Sequence, residues 1–96
     1  MPPQRILIVE DEAPVARLVE TCLKRLGYGV TAIVDNGEAA LRAAAAEPPA
    51  LALLDIELLG SMDGLEVAER LRRELGVPAV FLTGRGDEET LEDLAR

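Results

Sequence analysis

The chain reads as an α/β domain: a parallel β-sheet with helices on both faces. Three observations predict it. Short, continuous apolar runs recur at residues 5–10, 30–34, 51–55 and 79–83. Longer segments separate them, and where these show a period it is helical, so the order is βαβαβαβα. The runs also lack the apolar/polar alternation of strands with one wet face, which marks them as buried on both sides. Crossovers between such strands are right-handed. Ninety-six residues make one domain, spanning 1–96, with room for a modest core.

Each element can be justified in turn. RILIVE (5–10) is too short for a helix and rich enough in branched residues for a buried strand. In the following segment Val15, Leu18, Val19, Cys22, Leu23 and Leu26 fall at helical spacing and define one apolar face. Pro14 suits the first turn of that helix, and Gly27 suits the position just past its end. VTAIV (30–34) is the second strand. Asp35-Asn36-Gly37 makes a turn into an alanine-rich helix from Glu38 to Glu47, which Pro48-Pro49 stops. LALLD (51–55) is the third strand, and Gly60 to Gly64 a loop. The third helix runs from Leu65 to Leu75, with Leu65, Ala68, Leu71, Arg72 and Leu75 along one side, and Gly76 ends it. AVFLT (79–83) is the fourth strand, GRGD a loop, and residues 88–96 begin a fourth helix.

Composition narrows the function. Hydrophobic residues at 49% and charged residues at 29% describe a globular chain, not a disordered one. Eighteen acids against ten bases leave a net charge of −8, which argues against nucleic acid as a direct partner of this segment. Tyr28 and Phe81 are the only aromatics, so there is no platform for stacking bases. One cysteine and no histidine exclude an intramolecular disulfide and a Cys/His zinc centre. No run approaches the ~20 apolar residues of a membrane span, and MPPQR lacks the apolar core of a signal peptide. The cytoplasm is the expected location.

In parallel α/β sheets, ligands bind at the C-terminal ends of the strands. Strand one ends in Glu10-Asp11, strand three in Asp55, and strand four in Thr83-Gly84; Val34-Asp35 at the end of strand two is less distinctive. Three carboxylates converging from two strands repel one another unless a cation joins them. Oxygen-only donors without histidine suit a hard cation, Mg²⁺ above all. A hydroxyl at Thr83 can donate to an anion beside Asp55. Acids, metal and hydroxyl together suit phosphoryl transfer onto a carboxylate, with Asp55 as nucleophile.

These residues resemble the receiver, or phospho-acceptor, domain of two-component response regulators. The resemblance lies in ILIVEDE at strand one, LKRLGY at the end of the first helix, DNGEAAL, LLDIEL followed by MDGLEV, and VPAVFLTG. It covers essentially the whole chain, and the five stretches are specific in their order and spacing. It implies a flavodoxin-like, doubly wound sheet of strand order 2-1-3-4. It implies that Asp55 accepts the phosphoryl group from a histidine kinase or phosphotransfer protein and also ligates Mg²⁺. Asp11 is then a direct metal ligand, Glu10 a ligand directly or through water, and Glu57 a ligand through its backbone carbonyl. Thr83 hydrogen-bonds a phosphoryl oxygen and reorients as the switch, and Gly84 leaves the aspartate open to attack. The partner switched is an output domain or another protein.

The sequence departs from the family in two places. The loop from Asp55 to Gly64 is one residue longer than the commonest form, with Leu59 where a proline is usual. The family also continues through a fifth strand, carrying a lysine and an aromatic switch residue, and a fifth helix, whereas this sequence stops at Arg96. Its only lysine, Lys24, lies on the first helix. The expectation is a C-terminally incomplete receiver, with weaker autophosphorylation and impaired coupling to an output. Strand four would then be an open edge that invites a homodimer.

Single residues also have plainer readings. Asp55 alone is an ordinary strand-ending acid; the company of Glu10, Asp11 and Thr83 gives it weight. Glu12 complements a helix dipole. Cys22 belongs to the core on helix one. Asp87-Glu88-Glu89 and the Arg70, Arg72 and Arg73 group are solvated helix surfaces. Two functional alternatives stand beside the switch. One is a phosphorylation-independent, receiver-like interaction module, which need not bind metal. The other is a Mg²⁺-dependent phosphatase of the haloacid dehalogenase type, which wants Asp-x-Asp after strand one, where this chain has Asp55-Ile56-Glu57 after strand three. A dinucleotide-binding domain is disfavoured, since no glycine-rich fingerprint follows strand one. In the switch reading the chain is not a turnover enzyme.

Overall fold

The computed structural model describes residues 4–55 and 62–82. Its elements follow in the order β1 (Arg5–Val9), α1 (Ala13–Arg25), β2 (Gly29–Val34), α2 (Gly37–Ala46), β3 (Leu51–Asp55), α3 (Gly64–Leu75) and β4 (Ala79–Leu82). The four strands form one parallel sheet in the order β2-β1-β3-β4. The expected strand order is therefore the observed one. The end of the fourth strand at Thr83, the fourth helix and most of the loop after Asp55 lie outside the described residues.

Alternate side chains of each strand feed two cores. Leu7 and Val9 of β1 and Ala52 and Leu54 of β3 point to one face. There they meet Ala40 and Ala44 of α2 and Val67 and Leu71 of α3. Ile6 and Ile8 point to the other face and meet Ala16 and Leu23 of α1, with Val30, Leu51 and Leu53 at the margin. Helices on both faces explain why β1 shows no polar alternation: Ile6 through Val9 are all buried.

Helix ends follow their local chemistry. Asn36 caps α2 by accepting the Ala39 N–H at 2.9 Å, and Asp63 caps α3 by accepting the Glu66 N–H at 2.8 Å. α1 closes in a Schellman motif: the Tyr28 N–H reaches the Leu23 carbonyl and the Gly27 N–H the Lys24 carbonyl. That geometry needs a left-handed residue, and Gly27 supplies it with φ of 93°. β1 and β2 slip by one residue where Thr31 is passed over, between the pairs Ile6–Val30 and Leu7–Ala32.

The buried face of α1 differs from the expected one. Ala16 and Leu23 are buried and Val19 packs beside them, whereas Leu18 and Leu26 are 65% and 73% exposed. Cys22 is exposed as well, which corrects its assignment to the core. The apolar arc on α1 is wider than the strip that meets the sheet, and the small Ala16, not a large residue, sits at its centre. The α3 face needs a similar correction. Val67 and Leu71 are buried, while Leu65 and Leu75 lie toward solvent.

Candidate functional site

The register of the sheet builds the site. Val9 lies beside Val34 on one side and Leu54 on the other. One step further along the parallel strands, Glu10 comes abreast of Asp55. Leu54 and Val9 are fully buried and hold this end of the sheet in place. Carboxylate oxygens of Glu10, Asp11 and Asp55 all lie within 4.8 Å of one another. Three of the residues expected to form the site are thus brought together. Glu57 and Thr83 fall outside the described residues, although Asp55 pairs in register with Leu82, the residue just before Thr83.

Glu10 is held by the backbone on both sides. Its N–H donates to the Val34 carbonyl at 2.9 Å, and its carboxylate accepts the Glu12 N–H at 3.0 Å, at the start of α1. Burial, then a hydrogen bond shared with Asp11 and the charges of Asp55 and Asp11, push its pKa up from 4.5 to about 7; the Glu12 N–H opposes them. A carboxylate so held is short of positive charge. The donor set is all oxygen, without sulfur or imidazole, and so fits a hard divalent cation. Glu10, Asp11 and Asp55 are the residues that would hold it.

The sequence places Asp35 at the end of strand two as the less distinctive strand-end acid, and the structure adds its neighbourhood. It follows β2 directly, its Oδ1 accepts the Asn36 Nδ2 at 2.8 Å, and it shares a cleft with Glu10 and Asp11. Its strand-end position was the available signal. Among the described residues, no helix is long and apolar enough to cross a membrane.

Comparison with known proteins follows the same lines. Residues 6–96 match the response regulator receiver domain family. A probable transcriptional regulator, ycf27, of Pyropia yezoensis is 40% identical over 84 residues, covering 88% of this chain and 34% of that protein. The DNA-binding response regulator MtrA of Mycobacterium leprae (strain TN) is 42% identical over 84 residues, covering 88% and 36%. The chain therefore spans about a third of the length of the curated relatives it matches. Among solved structures, the signal receiver domain of a modulated diguanylate cyclase from Desulfovibrio desulfuricans G20 superposes with a TM-score of 0.82. It is 41% identical, and the match covers 97% of this chain and 74% of that one. The N-terminal domain of a response regulator/sensory box/GGDEF protein from Carboxydothermus hydrogenoformans gives 0.79 at 38% identity, covering 86% and 66%. With its sheet order, its strand-end acids and a family match over nearly its full length, the chain belongs to the response regulator receiver domain family.

Proposed function

We propose that the chain is a phospho-acceptor switch of a two-component system. Asp55 takes a phosphoryl group from a phosphohistidine on a histidine kinase or phosphotransfer protein. A carboxylate oxygen of Asp55 bonds to phosphorus, the donor's P–N bond breaks, and its electron pair leaves on the imidazole nitrogen, which solvent protonates. The observation that carries this reading is the convergence of Glu10, Asp11 and Asp55 within 4.8 Å at the C-terminal ends of β1 and β3. Glu10, Asp11, Asp55 and the Glu57 carbonyl would hold Mg²⁺, which would neutralise charge on the acids and on the phosphoryl oxygens. Glu10, anchored by the Glu12 N–H, keeps one carboxylate turned to the site. Thr83 hydrogen-bonds the transferred group and reports it to an output domain or separate partner.

The DNA binding named for relatives such as MtrA belongs to proteins of which the match covers about a third. With a net charge of −8, this segment is assigned no nucleic-acid contact of its own.

The decisive experiment is intact mass spectrometry after incubation with Mg²⁺ and acetyl phosphate, on wild type and Asp55→Asn in parallel. A phosphoryl adduct on wild type alone is expected. Adducts on both would move the acceptor elsewhere, and none on either would favour a phosphorylation-independent interaction module.

A further inference from the structure

We infer that a cleft beside the acid cluster seats an arginine or lysine side chain of the phosphodonor protein. The cleft, about 390 Å³, opens between α1, the end of β2 and the start of α2. Its walls are apolar and mostly small: Ala13 and Ala16 of α1, Ile33 and Val34 of β2, and Ala39 of α2. The three alanines leave room where larger residues would close it. Ile33 is 40% exposed, in a strand whose other residues are at least partly buried. The rim is acidic, formed by Glu10, Asp11 and Asp35, and among the described residues no lysine or arginine lines the cleft.

An apolar slot with carboxylates at its mouth matches one kind of side chain, an aliphatic stem carrying a cation. A neutral apolar group would leave the rim acids without a counter-charge. An anion would be repelled. Asp35 matters most here, because it lies outside the cluster of Glu10, Asp11 and Asp55. With a divalent cation on that cluster, Asp35 still offers a carboxylate, oriented by the Asn36 side chain. The cleft shares Glu10 and Asp11 with the acceptor site, so a protein that presents phosphohistidine to Asp55 also covers the cleft. The identity of the partner rests on the proposed phospho-acceptor function; the charge and shape of the cleft do not.

The test is a ¹H–¹⁵N NMR titration of the chain in saturating Mg²⁺, with Nα-acetyl-arginine methylamide as probe. Its neutral counterpart, Nα-acetyl-norleucine methylamide, is the control. Saturable shifts are expected at the Ala13, Ile33 and Ala39 amides with the arginine probe and not with the control. Asp35→Asn should weaken the arginine probe by about 2- to 5-fold, the range of an exposed ion pair. Ala13→Leu, which fills the cleft from an exposed position, should abolish the shifts. No shifts at these amides, equal shifts with the norleucine probe, or indifference to Asp35→Asn would overturn the inference. Acetyl phosphate added to the same wild-type sample separates the two levels. An adduct without cleft binding overturns the cleft alone. Failure to form an adduct overturns the phospho-acceptor reading and, with it, the assignment of the cleft to a donor.

Discussion

At Glu10 the chemistry of the site becomes a stability effect. Its carboxyl is raised from 4.5 to about 7, so the native chain holds this proton more tightly than the unfolded chain does. Between those values the native state binds more protons, and stability falls as pH rises. For the metal-free chain, the urea midpoint should therefore drop between pH 5 and pH 8. Glu10→Gln carries no such proton and should flatten that drop. An unchanged slope in the variant would mean that another group titrates there. The strand-end acids were legible in the sequence because a parallel sheet brings the C-terminal ends of β1 and β3 side by side, whatever the loops do. The raised pKa was not legible. It comes first from burial, then from the approach of Asp11 and Asp55, with the Glu12 N–H opposing them, and spacing along the chain encodes none of these.

Among the elements, two glycines do different work, and mutation should tell them apart. Gly37 opens α2, and a Cβ there would lie 2.4 Å from Val67 Cγ2 and 3.2 Å from Met62 Cβ. Its role is to let α2 approach α3. Gly76 has nothing within 4 Å of such a Cβ, but its φ is 68°. Its role is conformational, as the left-handed end of α3. Gly37→Ala should cost about 1–3 kcal/mol through overpacking, and Gly76→Ala about 1–2 kcal/mol through backbone strain. Trimming the obstructing side chain with Val67→Ala should offset part of the first and none of the second. Urea denaturation of both double-mutant cycles reads this directly, and equal coupling in the two would contradict it. Asn36→Ala should cost about 1 kcal/mol by removing the cap on α2. The strands were legible at this scale: LALLD at 51–55 is β3, residue for residue. The buried faces of the helices were less so. Ala16, Ala40 and Ala44 carry the close contacts, yet alanine contributes little to an apolar pattern, while the larger Leu18 and Leu26 draw the eye to a flank.

For the molecule as a whole, the governing quantity is concentrated negative charge. The chain carries −8, and three of its carboxylates meet at one end of a sheet fixed by the packing of Val9 and Leu54. The fold holds these acids together against their repulsion, so anything that binds them only in the native arrangement stabilises the whole chain. Mg²⁺ should raise the melting temperature, with the increase saturating as the site fills. A ligand at 100 times its dissociation constant contributes about 2.7 kcal/mol, which for a domain of this size is roughly 10–20 °C by the usual entropy of unfolding. General screening predicts something else: a smaller, unsaturating rise that NaCl reproduces at equal ionic strength. Asp11→Asn distinguishes the two, since it removes one donor from the cluster and leaves most of the net charge. Under site binding the Mg²⁺ shift in this variant should largely vanish while the NaCl response persists. If Asp11→Asn kept the full Mg²⁺ shift, the stabilisation would belong to the charge of the molecule and not to the convergence of its strands.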